Sequence, residues 1–238
     1  MVLWIIAAFV AAFIKGLCGV GDAPVFSAIL SFANNNIDIS PAAVLLSLPS
    51  NSLIVWKNRK SLNRRIWLPM ALLLIAGTIP GTLLLKNVNT GTLKLVFGIF
   101  LVFVGILMIF NELNSRKVQP SKWLLLAVGI ISGLSSGLFG IGVMLIVYIT
   151  LTTEDMSSFK GNICAIFAAE NVVRVVMYII LGLFTPAVIK RALLVFPLQV
   201  LGIYLGMKSA SFLDERKAKL VVMSMLIVSG LALTIVSR

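Results

Sequence analysis

The sequence predicts an all-α, polytopic membrane protein of eight to ten hydrophobic helical segments, arranged as two homologous halves. Three observations carry this prediction. The 238 residues are 60% apolar and only 12% charged, with a mean hydropathy of +1.09, whereas a soluble domain carries about 25% charged residues. The apolar residues gather in runs separated by short polar clusters. Blocks of the first half recur in the second in the same order. There is too little polar surface to cover a body of this size in water, so the solvent is lipid. A soluble enzyme, a disordered chain and a fibrous repeat are excluded.

The runs, in order, cover residues 2–14, 24–33, 41–56, 66–85, 93–110, 123–136, 143–151, 163–184, 187–207 and 220–236. In a bilayer each is expected to be helical, because a helix satisfies its own backbone groups where no water can. Run 2–14 is expected to be retained as a helix and not cleaved as a leader, since no basic stretch precedes it and hydrophobic sequence follows. The breaks carry turn chemistry: Asn34-Asn35-Asn36, then Lys57-Asn58-Arg59-Lys60, then residues 87–91, 116–122, 152–158 and 213–219. Two pairs of runs, 2–14 with 24–33 and 123–136 with 143–151, are too short to cross ~30 Å of hydrocarbon singly.

Each short pair is joined by a glycine-rich break, and the breaks match. Gly16-Leu17-Cys18-Gly19-Val20-Gly21 returns 121 residues later as Gly137-Leu138-Phe139-Gly140-Ile141-Gly142. At a spacing of 125, Gly77 and Gly81 correspond to Gly202 and Gly206, Lys94-Leu95-Val96 to Lys219-Leu220-Val221, and Gly105 to Gly230. Several ordered matches indicate a duplication, with halves at 1–115 and 120–238. If each pair dips in and returns, each half has an odd number of crossings and the second half is inverted. The basic clusters at 57–65, 116–122 and 208–219 then share the cytoplasmic face, as the positive-inside rule asks. Parallel halves would send the last of them outside. The pair Lys190-Arg191 is the weak point of the inverted arrangement.

Basic residues outnumber acidic ones, 20 to 8, but their place between apolar runs suits anionic lipid and not nucleic acid, for which no basic–aromatic surface is present. Cys18 and Cys164 sit within apolar sequence as small hydrophobes. Two cysteines and no histidine exclude a Cys/His zinc cluster; no metal and no cofactor is expected.

Inverted repeats with broken helices hold substrates near the midplane of secondary transporters. Glycine at a break lets backbone approach a bound group, and helix ends there offer unpaired N–H groups to an anion. Gly16, Gly19 and Gly21, with Gly137, Gly140 and Gly142, are therefore expected to line a substrate site. The alternative is close helix packing, the reading preferred for Gly77, Gly81, Gly202 and Gly206. Glu170 and Arg174 lie four apart and share a helix face, so they can pair. A lone ion at that depth costs ~2.5–3.5 kcal/mol on insertion scales. A structural ion pair is the plain reading, anion binding or proton carriage the functional one. Arg174 suits an oxyanion through its planar fork. Asn171 adjoins Glu170, and Asn51 is its counterpart at a spacing of 120. Lys15 adjoins the first break, and either contributes to the site or snorkels to an interface. Asp22 closes that break as a proton carrier or a helix cap.

The break Gly-Leu-x-Gly-(Val/Ile)-Gly, present in two similar halves of a short polytopic chain, resembles the TauE/SafE sulfite exporter family, also described as toluene-sulfonate uptake permeases. The basic loop after the third run, the Gly77/Gly81 pair and the Gly98 to Gly105 pattern are similar too. Asp22-Ala23 and Val143-Met144 stand where the family commonly has further glycines. The resemblance implies substrates that are small sulfur-containing anions, such as sulfite, sulfonates or sulfoacetate, moved across the plasma (inner) membrane of a prokaryote.

The expected function is thus a secondary transporter of a small anion. Lys15, Arg174 and the two glycine breaks receive the anion; Ser135, Ser136, Asn51 and Asn171 orient it; Asp22 or Glu170 carries a coupling proton. A homo-oligomer is left open. The chain lacks a phosphate-binding G-x-x-x-x-G-K-[ST] loop. An anion channel, a non-transporting membrane subunit, and an intramembrane enzyme built on Ser136 and Lys15 are the competing readings.

Overall fold

A computed structural model describes residues 1–113, 122–152, 156–209 and 215–236. Among them ten α-helices follow one another with no strand: α1 (Val2–Cys18), α2 (Asp22–Ser31), α3 (Asn36–Lys57), α4 (Arg64–Asn87), α5 (Thr90–Leu113), α6 (Lys122–Phe139), α7 (Val143–Thr152), α8 (Met156–Ile180), α9 (Pro186–Ser209) and α10 (Glu215–Val236). A single 3-10 turn, Arg59–Ser61, joins α3 to α4. Every apolar run is a helix. Five of them, within α3, α4, α5, α8 and α9, are long and apolar enough to cross a membrane. The expected junction at 115–120 and parts of the breaks at 152–158 and 213–219 lie outside the described residues.

Helix bounds depart from the apolar runs where polar residues find partners inside the protein. α1 continues past Lys15 and Gly16 to Cys18, because Lys15 is 2% exposed and paired within the fold. α8 begins seven residues before its apolar run. Its polar first turns face the α3–α4 connection: Ser157 Oγ donates to Asn58 Oδ1 (3.0 Å), and Asn162 Oδ1 accepts from the Asn63 backbone N–H (2.9 Å). At its far end α8 stops at Gly182, φ +67°, where Leu183 N–H returns to Tyr178 O (2.9 Å). This is the 6→1 closure of a glycine-terminated helix.

The tightest helix pairs are α1 with α9, α4 with α6, α5 with α10 and α3 with α8; α4 also packs on α8, and α3 on α9. Small residues make the first two pairs. A Cβ on Gly133 would lie 2.8 Å from Gly77 Cα and against the carbonyl of Leu74, and one on Gly81 would lie 3.1 Å from Gly137 Cα. Across α1–α9, a Cβ on Gly206 would lie 3.0 Å from Gly16 Cα. Lipid tails are as apolar as leucine, so helices in a membrane associate through such close contact, with dispersion in place of a hydrophobic drive. The outward faces carry Leu72, Ile99, Phe110, Trp123, Ile180 and Leu193, all exposed, as a lipid-facing surface requires.

Candidate functional site

Each short pair breaks over three residues. Between α1 and α2 these are 19–21, with Gly19 at φ +84° and Gly21 at φ +97°; between α6 and α7 they are 140–142, with Gly140 at φ +78°. A side chain with a Cβ is strained at such angles, so glycine at these positions is what lets the helix stop and restart. The two breaks sit at different heights. Gly19 meets the side chain of Lys160 on α8, and Gly140 meets the Arg174 guanidinium on the same helix, about 21 Å further along at 1.5 Å per residue.

One cavity, of about 40 Å³, lies between the breaks. It brings together eleven of the residues expected from the sequence: Lys15, Gly19, Gly21, Asp22, Asn51, Ser136, Gly140, Gly142, Glu170, Asn171 and Arg174. The other three lie outside its lining. Gly16 packs within α1 against the backbone of Ile203 and Gly206, and Gly137 packs within α6 against Thr78 and Gly81. Ser135 Oγ donates to the carbonyls of Ser132 and Ile141 (2.9 Å each), and so braces the second break from behind.

The cavity holds two cation–carboxylate pairs. Lys15 Nζ donates to Asp22 Oδ2 at 2.7 Å, which also accepts from Ser47 Oγ at 2.8 Å. Arg174 Nε lies 3.6 Å from Glu170 Oε1; that oxygen accepts from Ser136 Oγ (2.9 Å) and Thr78 Oγ1 (3.3 Å). Arg174 also donates through Nη2 and Nε to Tyr178 Oη (2.7 and 3.2 Å). Buried charge is tolerated when paired and hydrogen-bonded, and both pairs meet that condition. Ser136 and Lys15 are each bonded to a carboxylate and not to one another, so the geometry holds no Ser–Lys dyad.

Two further features favour a negative guest. α2 and α7 begin at the breaks, where residues 19–24 and 140–142 line the cavity, and a helix N-terminus carries unpaired N–H groups and the positive end of the dipole. The opposing negative end of α1 is neutralised by Lys160, whose Nζ donates to Leu17 O at 3.3 Å. The Arg174 guanidinium stands beside Gly140, just past the end of α6. Asn51 and Asn171, each 3% exposed, line the cavity, and among the described residues neither side chain makes a hydrogen bond within the protein. Both amides are thus available to a polar guest in the cavity.

Sequence reasoning missed Ser47, Thr78, Tyr178 and Lys160. Tyr178 was open to the spacing argument, four residues after Arg174 on the same helix. Lys160 lies outside the apolar run of α8, and Thr78 lies in a block read as packing. Only the fold brings Thr78 to Glu170.

A family model described as Sulfite exporter TauE/SafE matches residues 4–233. No curated protein and no solved structure matches the chain.

Proposed function

The chain belongs to the sulfite exporter TauE/SafE family, and from that premise we propose that it is a secondary transporter carrying a small anion across the plasma membrane of a prokaryote by alternating access. The anion is a sulfur oxyanion or organosulfonate, such as sulfite or sulfoacetate. The observation that carries the reading is the cavity between the two glycine breaks, lined by two cations with their carboxylates, by two asparagines that make no hydrogen bond among the described residues, and by the breaks from which α2 and α7 begin.

The halves 1–115 and 120–238 act as repeats of opposite orientation. What supports the repeat is the helix pairing, and what supports opposite orientation is that α8 begins beside the end of α3, Ser157 Oγ donating to Asn58 Oδ1 at 3.0 Å, so that these two counterparts run antiparallel. Exchanging α1–α5 with α6–α10 turns α1–α9 into α6–α4, turns α3–α9 into α8–α4, and maps α3–α8 and α5–α10 onto themselves. Asn51 and Asn171 exchange under the same operation, as do the breaks. A site on such an axis meets either face of the membrane through the same chemistry, which is what a rocking carrier requires.

Binding follows from the charges. The Arg174 fork bonds two oxygens of a tetrahedral or pyramidal oxyanion, Lys15 adds a point charge, and Asn51 and Asn171 donate amide N–H to remaining oxygens. Because each cation already holds a carboxylate, the anion replaces a resident partner instead of filling an uncompensated positive hole. A coupling proton on Asp22 or Glu170 settles the resulting charge.

The test is thermal unfolding of purified protein in detergent with sulfite, sulfate, thiosulfate, sulfoacetate, taurine and acetate. A ligand at 100 times its Kd stabilises by about 2.7 kcal/mol, a readily measured rise in Tm. We expect a sulfur oxyanion to give this rise in wild type and not in Arg174→Ala. Stabilisation that survives Arg174→Ala places the anion elsewhere.

A further inference from the structure

We infer that Asp22 is the proton carrier of this cavity, that it is loaded from a second, alanine-lined cavity beside it, and that its protonation releases Lys15 to the anion. The inference deepens the carrier reading above and rests on it.

The two acids of the site are not equivalent. Glu170 is 1% exposed, and Ser136, Thr78 and Arg174 all converge on one of its oxygens. Asp22 keeps 16% of its side chain accessible and has two partners, Lys15 and Ser47. An acid that exchanges protons needs contact with water, and of the two Asp22 has it.

The second observation is the cavity on the other flank of Asp22. Asp22, Ala23, Ala43 and Ser47 border both cavities. Beyond them the second is walled by Ala8, Ala11 and Ala12 of α1, Phe26 of α2 and Gln199 of α9. Methyl side chains leave open space beside a carboxylate. Gln199 is 4% exposed; its Nε2 donates to Leu46 O at 2.7 Å, while its Oε1 has no partner. A carboxylate, a serine hydroxyl and an unsatisfied amide oxygen around a space of about 20 Å³ are the polar partners that a buried water requires, so a water held there reaches Asp22 from a cavity that Arg174 does not line.

The charges around Asp22 give the coupling its sign. α1 presents Lys15, and α3 presents the Ser47 hydroxyl. α8 presents Lys160, Cys164 at the Gly19 carbonyl, and further off Glu170 with Arg174. α9 brings the uncharged Gln199, and among the described side chains α5 and α10 add no charge. With Asp22 ionised, Lys15 is neutralised and an arriving anion finds no free ammonium. A proton from water converts the Asp22 carboxylate to the acid, and Lys15 keeps its charge and takes the anion. On the other face the acid returns its proton to water, and the carboxylate recaptures Lys15 and expels the anion. Proton and anion travel together.

The experiment uses the full chain in liposomes with ³⁵S-labelled thiosulfate, sulfate and sulfoacetate, and compares counterflow with uptake driven by acid on the side of entry. Wild type is expected to show both for at least one probe. In Asp22→Asn, gradient-driven accumulation falls at least tenfold more than counterflow does in the same variant. Ala11→Val, which narrows the second cavity, slows gradient-driven uptake severalfold with counterflow within twofold of wild type. Accumulation that survives Asp22→Asn, or that follows a sodium gradient and ignores pH, overturns the inference and leaves the carrier standing. An Ala11→Val variant that folds and accumulates like wild type overturns the route. No counterflow of any probe in wild type removes the carrier reading itself.

Discussion

Asn51 and Asn171 are where a structural and a functional account differ most. Elsewhere in the site every buried polar side chain that holds the fold has a partner in the fold: Lys15 has Asp22, Ser136 has Glu170, Arg174 has Tyr178. Among the described residues the two amides have none, so removing them takes none of the described hydrogen bonds away. Asn51→Ala and Asn171→Ala are therefore expected to leave the unfolding of ligand-free protein within about 1 kcal/mol of wild type. Each is expected to weaken anion affinity by about 10- to 150-fold, as losing a hydrogen bond to a charged group worth ~1.5–3 kcal/mol would do. Titration by thermal shift checks both halves of this statement. Loss of stability without loss of affinity would make the asparagines structural. These residues were legible in the sequence because polar side chains deep in apolar runs are costly and therefore noticeable. Thr78 and Ser47 were not, since a hydroxyl inside a membrane helix can bond its own backbone at little cost, as Thr78 does with Leu74 O (2.8 Å).

At the scale of elements, the glycines divide by what they do. Gly19, Gly21 and Gly140 take positive φ at the breaks, while Gly16, Gly77, Gly81, Gly133, Gly137 and Gly206 lie where two helix backbones meet. Sequence spacing located both breaks correctly, but it grouped Gly16 and Gly137 with the turn residues beside them. The distinction depends on the helix across the contact, α9 for one and α4 for the other, and no local pattern reveals which helix that is. The two classes differ in their response to alanine. Gly133→Ala drives a methyl into the α4 backbone, where neither side can yield, and is expected to prevent stable folding or to lower Tm by well over ten degrees. Gly182→Ala meets nothing within 4 Å and bears only the left-handed backbone strain, about 1 kcal/mol. Unfolding curves of the two variants in the same detergent measure the contrast.

For the whole molecule, the decisive property is the relative direction of the halves. Composition and hydropathy revealed ten helices and lipid as solvent, because burial in a bilayer leaves a strong apolar signal. The pairing of distant helices was not legible, since contacts such as α1–α9 rest on small residues whose partners lie far along the chain. Inverted halves place the turn after α8 on the opposite side of the membrane from the Arg59–Ser61 turn; parallel halves place both on the same side. Arg191, whose guanidinium lies 5.3 Å from the Trp4 ring centre, shows how the basic pair 190–191 is accommodated at that end of the fold by an aromatic partner. With Cys18 and Cys164, both buried, replaced by alanine, single cysteines at Ser61 and Thr185 can be probed with a membrane-impermeant maleimide. Labelling of Thr185→Cys from outside intact cells, and of Ser61→Cys only after lysis, is the expected result.

A cavity that carries an anion by alternating between two faces produces trans-stimulated counterflow. Protein in liposomes preloaded with unlabelled sulfur oxyanion is diluted into a trace of the labelled anion. A carrier returns to its outward face loaded, so the account predicts a transient overshoot of label above equilibrium, saturable with external anion and lost in Arg174→Ala. Flux that rises linearly with concentration and never overshoots would describe a channel, and no flux at all would describe a subunit that does not transport. Either result would contradict the account.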